Sequence, residues 1–226
     1  MKKIILIILV LTCSCKSITY QDVNPTIQPN NNRLPALESV VDINNLESTY
    51  SVGSYYGIAN NFGTGYGNNN WTGWVQTTTI NGTQYKDTRV NDVINIFNKE
   101  VKENISNPYG EKKGYITLKL GYRDNESSIL YLLPSMLTFC TINILGFPAD
   151  KRSQSLEVEV EIWNSKKELI KRYVENVYNY NYIAMYWGYD ENTIDRKIAA
   201  DNIKQALEKI RLKINNDAKK IQKKLK

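Results

Sequence analysis

Three carboxylates two residues apart, Glu157, Glu159 and Glu161, stand in the run Leu156-Glu157-Val158-Glu159-Val160-Glu161-Ile162-Trp163. On a strand that spacing puts all three on one face, where they could hold a cation or work as acid and base. No other ligands accompany them at metal-binding spacing, so the sequence predicts a solvated face and assigns them no chemistry. The chain has no histidine, which removes Ser-His-Asp and Cys-His catalysis and the commonest zinc ligand together. A carboxylate-based hydrolase or a Ser-Lys dyad stays formally open, but no spacing singles one out. Cys140 lies in Leu137-Thr138-Phe139-Cys140-Thr141-Ile142, apolar company that predicts a buried, inert thiol. No catalytic residue, metal or cofactor follows from the sequence.

Binding chemistry is better represented. Between residues 50 and 85, Tyr55, Tyr56, Phe62, Tyr66, Trp71 and Trp74 are interleaved with seven glycines and many asparagines. Aromatic faces stack on sugar rings, amides bond to hydroxyls, and glycine lets backbone approach a ligand. Tyr55, Tyr56, Trp71 and Trp74 are therefore the candidate contacts for a protein partner or a glycan. The plainer reading is irregular strands whose aromatics pack on the domain, and Asn81-Gly82 fits a hairpin turn there. A second aromatic cluster, from Tyr173 through Tyr178, Tyr180 and Tyr182 to Tyr189, is expected to pack between sheet and helix.

These side chains need elements to hold them. Val90, Val93, Ile94, Phe97, Val101 and Ile105 recur at three and four, with Asp87 or Thr88 as cap and Asn107-Pro108-Tyr109-Gly110 as stop, predicting an amphipathic helix. After Gly114 the period falls to two, predicting a strand with Ile116, Leu118, Leu120 and Tyr122 on one face. The carboxylate strand turns back at 164–168 into Leu169–Val174, and an amphipathic helix starting near Asn192 or Thr193 runs to the lysine-rich C-terminal end. Arg33–Ile43 is expected to lie extended along the domain. The stretch from Ile129 to Phe147 is apolar enough to raise the question of a membrane span. Pro134, Ser135, Thr138, Thr141 and Asn143 interrupt it, and burial in the domain core is expected instead. The fold class predicted is α+β, an antiparallel sheet packed by helices on one face, with a long C-terminal amphipathic helix.

At the other end of the chain, Lys2 and Lys3 precede the unbroken apolar run Ile4–Leu11, too short to span a bilayer. Leu11-Thr12-Cys13-Ser14-Cys15 follows, small residues leading to a cysteine, and the segment resembles the lipobox of bacterial lipoproteins. The pattern wants an aliphatic residue three before the cysteine and a small one just before it. Cys15 has Ser14 but Thr12 at the aliphatic position, whereas Cys13 has Val10 but a bulky Thr12 beside it. Cys15 is favoured as the lipidated residue, with Cys13 the alternative. The resemblance implies residues 1–14 as signal peptide and a membrane partner reached through acyl chains, each buried methylene contributing about 0.8 kcal/mol. It also implies a bacterial envelope address, with Lys16 giving no aspartate retention signal and hence outer-membrane delivery.

Residues 15–32 are polar and turn-rich, reading as a stalk, and residues 33–226 as a single α+β domain. The formal charge of +6 falls to +4 once Lys2 and Lys3 are removed. Most of that excess sits in Lys219, Lys220, Lys223, Lys224 and Lys226, at a helix end where it opposes the dipole. So confined, and in that compartment, it does not predict a nucleic-acid partner. The function expected is a non-enzymatic envelope lipoprotein that binds a protein partner or assists assembly of an envelope complex, with surface glycan binding as the alternative. Cys15→Ser is expected to abolish incorporation of labelled palmitate while Cys13→Ser leaves it intact. The opposite pattern would move the anchor to Cys13, and no incorporation in the parent chain would sink the lipoprotein reading.

Overall fold

In the computed structural model, which describes residues 32–43, 45–46, 75–76, 88–127, 129–183 and 191–225, the alternating carboxylate run lies in the middle of a strand of 15 residues, β4 (Asp150–Asn164). The other strands are β1 (Glu38–Val41), β2 (Val75–Gln76), β3 (Gly114–Ser127) and β5 (Leu169–Ile183). The helices are α1 (Thr88–Glu100), α2 (Leu132–Leu137), α3 (Thr141–Ile144) and α4 (Glu191–Lys224). The five strands form one sheet in the order β2-β1-β3-β4-β5, and the fold is α+β.

The sheet is mixed, where a wholly antiparallel one was expected. β3, β4 and β5 pair antiparallel, but β1 runs parallel to β3, with Val41 opposite Leu118. The segment read as an arm lying along the domain is therefore a strand within the sheet, paired with β2 on its other side. Its four residues are too few to show a period, and its partner lies more than seventy positions away in the chain.

Alternation gives the sheet two unlike faces. Ile116, Leu118 and Leu120 of β3, Leu156, Val158, Val160 and Ile162 of β4, and Tyr173 and Val177 of β5 are buried in one apolar cluster with residues of α1 and α4. α4 carries Ile203, Leu207, Ile210, Ile214 and Ile221 into that cluster at the helical period. Its alanines 199, 200, 206 and 218 are also buried there. At about 1.5 Å per residue the helix is some 50 Å long, matching the hairpin it covers. It runs back along β5. Asn202 meets Gln154 and Asn179 near one end of the sheet, Tyr173 donates to Asp217 midway, and Gln222 donates to the Arg33 carbonyl near the other end.

α1 lies against α4 through two ion pairs. Arg196 of α4 donates to Asp92 at 2.8 Å. Deeper, Arg211 stands 3.3 Å from Glu100, both side chains 4% exposed. Beyond Glu100 the helix widens into a π turn, Val101–Ile105, closed by the Ser106 amide donating to the Val101 carbonyl. Within that turn Asn104 donates to the second Glu100 oxygen at 2.6 Å. Burial pushes the Glu100 pKa up, opposed by the Asn104 hydrogen bond and the Arg211 charge and assisted by Glu208 and Glu103.

Arg211→Met would strand the buried carboxylate, and a loss of about 3–5 kcal/mol is expected near neutral pH. A carboxyl whose folded pKa lies above its unfolded value binds protons more readily when folded, so its contribution improves as pH falls and worsens as pH rises through the folded value. The variant's deficit should therefore shrink from pH ~7.5 to pH ~5 as Glu100 takes its proton, in urea titrations of both proteins. A deficit of equal size at both would mean that Arg211 acts through packing alone.

Candidate interaction surface

The candidate site lies at the end of β3 and β4 away from Gly114 and Asn164. Their register holds from Gly114 opposite Asn164 to Ser127 opposite Arg152, with one irregularity between Leu120 and Arg123. At about 3.4 Å per residue the arms reach some 45 Å. Gly121 sits at the irregularity, where a Cβ would come within 2.4 Å of the Glu157 carboxylate, so any side chain there would displace that of Glu157.

At the far end the chain turns through a 3-10 turn, Ile129–Tyr131, and then α2 and α3. This is the apolar stretch expected in the core, and it is not there. Phe139 is 91% exposed, Leu145 86%, Leu137 82% and Leu130 75%, with Leu133, Met136 and Ile144 also exposed. From Ser127 to Ala149 no residue carries a charge. Cys140, expected to be buried, is half-exposed in the left-handed turn between the two helices.

Hydrogen bonding, not burial, keeps this end folded. Ser135 Oγ donates to the Tyr131 carbonyl at 3.0 Å, Thr138 Oγ1 to Pro134 at 2.8 Å, Thr141 Oγ1 to Thr138 at 2.7 Å and Asn143 Nδ2 to Phe147 at 3.0 Å. Phe139 and Cys140 both have positive φ, 48° and 61°. That conformation is unfavourable for side-chain-bearing residues, and the Cys140 amide is held in it by the Ser135 carbonyl at 2.6 Å. Pro134 sits in the first turn of α2, where no amide hydrogen is needed.

Beneath the exposed end lies a belt of aromatic rings. Tyr178, Tyr180 and Tyr182 alternate along β5 on the face away from α4, all half-exposed. Tyr180 meets Tyr182 edge to face at 5.6 Å, Tyr182 meets Tyr131 likewise at 5.6 Å, and Tyr131 lies 6.1 Å from Phe147. Lys151 places its ammonium 4.4 Å from the Tyr180 ring centre. The Tyr131 phenol beside Tyr182 raises the pKa of Tyr182. Glu126, Leu130, Tyr131, Phe147, Lys151 and Tyr178 border an open cleft of about 620 Å³. Of the described members of the second aromatic cluster, Tyr173, Tyr178, Tyr180 and Tyr182, only Tyr173 enters the core, and Tyr189 lies outside the described residues. Tyr173 packs as expected and donates to Asp217, burial and that carboxylate raising its pKa, whereas the other three face outward.

The carboxylate strand face differs from expectation too. Glu159 and Glu161 are buried, at 7% and 6% exposure. Lys119 Nζ stands 3.1 Å from Glu161, and Arg172 donates to Glu159 and lies 3.9 Å from Glu161. Burial raises the Glu161 pKa and Lys119 works against that. Two acids and two bases thus neutralise one another on neighbouring strands, an arrangement suited to holding register. Among the described residues no group of three or more His, Cys, Asp or Glu is placed to hold a metal ion. The candidate contacts Tyr55, Tyr56, Trp71 and Trp74 and the anchor cysteines Cys13 and Cys15 lie outside the described residues.

Phe139→Asp is expected to leave stability within about 0.5 kcal/mol, as for a surface site. Phe97→Ala, in the fully buried centre of α1, should cost about 3–5 kcal/mol. Denaturant titration of both variants measures this, and a comparable loss at Phe139 would mean that its ring is covered. Compared with known proteins, the chain matches no family model and no curated sequence.

Proposed function

We propose that this chain is a non-enzymatic lipoprotein of the bacterial envelope, tethered at Cys15 or Cys13, which docks to another envelope component through the charge-free end of its long hairpin. The observation that carries the reading is the exposure of Leu130, Leu137, Phe139 and Leu145 in a segment without a single charge. Large apolar side chains left exposed together in one uncharged segment point to an interaction site. The tether supports it. Residues 33–34, the first of the domain, bond to Gln222, Ile105 and Asn107, close to where β3 begins and at the end away from the hairpin tip.

A glycan-binding reading would rest chiefly on Tyr55, Tyr56, Trp71 and Trp74. The described tyrosines support it less, since Tyr131, Tyr180 and Tyr182 are already engaged with one another edge to face. A carboxylate-based hydrolase would need a free acid and base, and Glu159 and Glu161 are both spoken for by Lys119 and Arg172.

A photo-reactive phenylalanine analogue at position 139 of the full protein, activated in intact envelopes, is expected to form adducts with another component. The same group at Leu212, an exposed apolar position on α4, should form few. Equal labelling at the two positions would refute docking through the hairpin end.

A further inference from the structure

The hairpin end has the chemistry of a surface made for lipid. We propose that it seats in the interfacial layer of a bilayer, with Leu130, Leu137, Phe139 and Leu145 among the acyl chains and the tyrosine belt with Lys151 at headgroup level. This rests on the docking reading above and names its partner.

The direction of the polar groups separates lipid from protein as the occupant. A protein interface carries about one hydrogen bond per 100–200 Å², so a surface built for one presents donors and acceptors outward. Here the hydroxyls of Ser135, Thr138 and Thr141 and the Asn143 amide all donate to carbonyls of the same segment. The amides of Thr138, Phe139, Cys140, Leu145, Gly146 and Phe147 do the same. Asn143 Oδ1 accepts no hydrogen bond among the described residues, but Asn143 is fully buried and does not face outward. Internal satisfaction of this kind is what an apolar solvent demands.

Charge placement agrees. Glu126 closes one flank of the uncharged segment, and Asp150, Lys151 and Arg152 begin at once on the other. Arg152 is paired with Asp150 at 3.2 Å, while Lys151 lies over the Tyr180 ring. A band of tyrosines with a basic side chain among them, under an apolar cap, is the order found at membrane interfaces. α2 and α3 have 6 and 4 residues, and no helix among the described residues is long and apolar enough to cross a membrane. The depth implied is that of interfacial helices, about 5–10 Å.

The tether permits it. With the anchor at Cys15, residues 16–32 at about 3.4 Å each can extend to roughly 58 Å, more than the ~45 Å of the hairpin arms. The tip can therefore reach the bilayer that holds the anchor.

Cys140, a free thiol at this end, provides the test. The full protein, purified from its membrane, is labelled there with an environment-sensitive fluorophore. It is then reconstituted into phosphatidylethanolamine and phosphatidylglycerol vesicles with nitroxide-bearing acyl chains. A second preparation, Cys140→Ser with Phe139→Cys, moves the label to the most exposed position and guards against distortion of the turn. The nitroxide is expected to quench both labels. Leu137→Asp with Leu145→Asp should reduce the quenched fraction about tenfold while circular dichroism stays unchanged.

Absence of quenching in both preparations, or quenching that the two aspartates leave untouched, overturns the lipid assignment. If quenching is absent but cross-links to a protein or to a second copy of the chain vanish with the aspartates, lipid falls and docking stands. If neither quenching nor cross-links occur, both readings fall.

Discussion

A two-residue period sustained along β4 is the constraint on which the rest of the structure depends. β4 pairs with both β3 and β5 through almost its whole length, so its alternation decides which side of all three strands is apolar. Val158 and Val160 go to the helical side with Leu118, Leu120 and Tyr173, and Glu159 and Glu161 to the other with Thr117, Lys119 and Arg172. A slip of one residue would carry the carboxylates under α4 and the valines outward. The ion pairs from Lys119 and Arg172 oppose that slip, since they form only when β3, β4 and β5 are in this register. Buried pairs of this sort contribute less to stability than to choosing one arrangement over another.

With register fixed, length becomes the next determinant. α4 packs along β4 and β5, and Asn202 in its first half bonds to Gln154 and Asn179, close to where the strands end. Towards that end the residue types change. The core face of β5 passes from Tyr173 and Val177 to Asn179 and Asn181, and the opposite face becomes the run of tyrosines. The apolar connection beyond keeps its large side chains outside the core.

Periodic elements were legible in the sequence because a period is local. The helix at 88–105, the strand after Gly114, the hairpin turning at 164–168 and the long final helix all appear where their patterns put them. What the sequence did not disclose depends on distance or on destination. The cations that neutralise Glu159 and Glu161 lie 13 and 42 positions away, and no strand period shows that they meet. The parallel seat of β1 has the same origin. Ile129–Phe147 failed differently, since hydropathy records that a segment avoids water without saying where it goes, and Pro134 with four hydrogen-bonding side chains looked like the interruptions of a core segment. In the fold those same groups bond inward and make an exposed apolar segment self-sufficient.

That self-sufficiency has an energetic consequence. Burying a large aliphatic or aromatic side chain contributes about 1.5–3 kcal/mol. Four that stay in water, Leu130, Leu137, Phe139 and Leu145, therefore forgo about 6–12 kcal/mol, as much as the whole net stability of a typical domain. A chain selected only to fold would place such residues inside or replace them with polar ones. Here they are presented by two long strands, underlain by aromatic rings, in a segment whose hydroxyls donate to its own carbonyls. Covering these side chains with a second apolar phase would recover that stabilisation, which is the physical ground of the docking proposal.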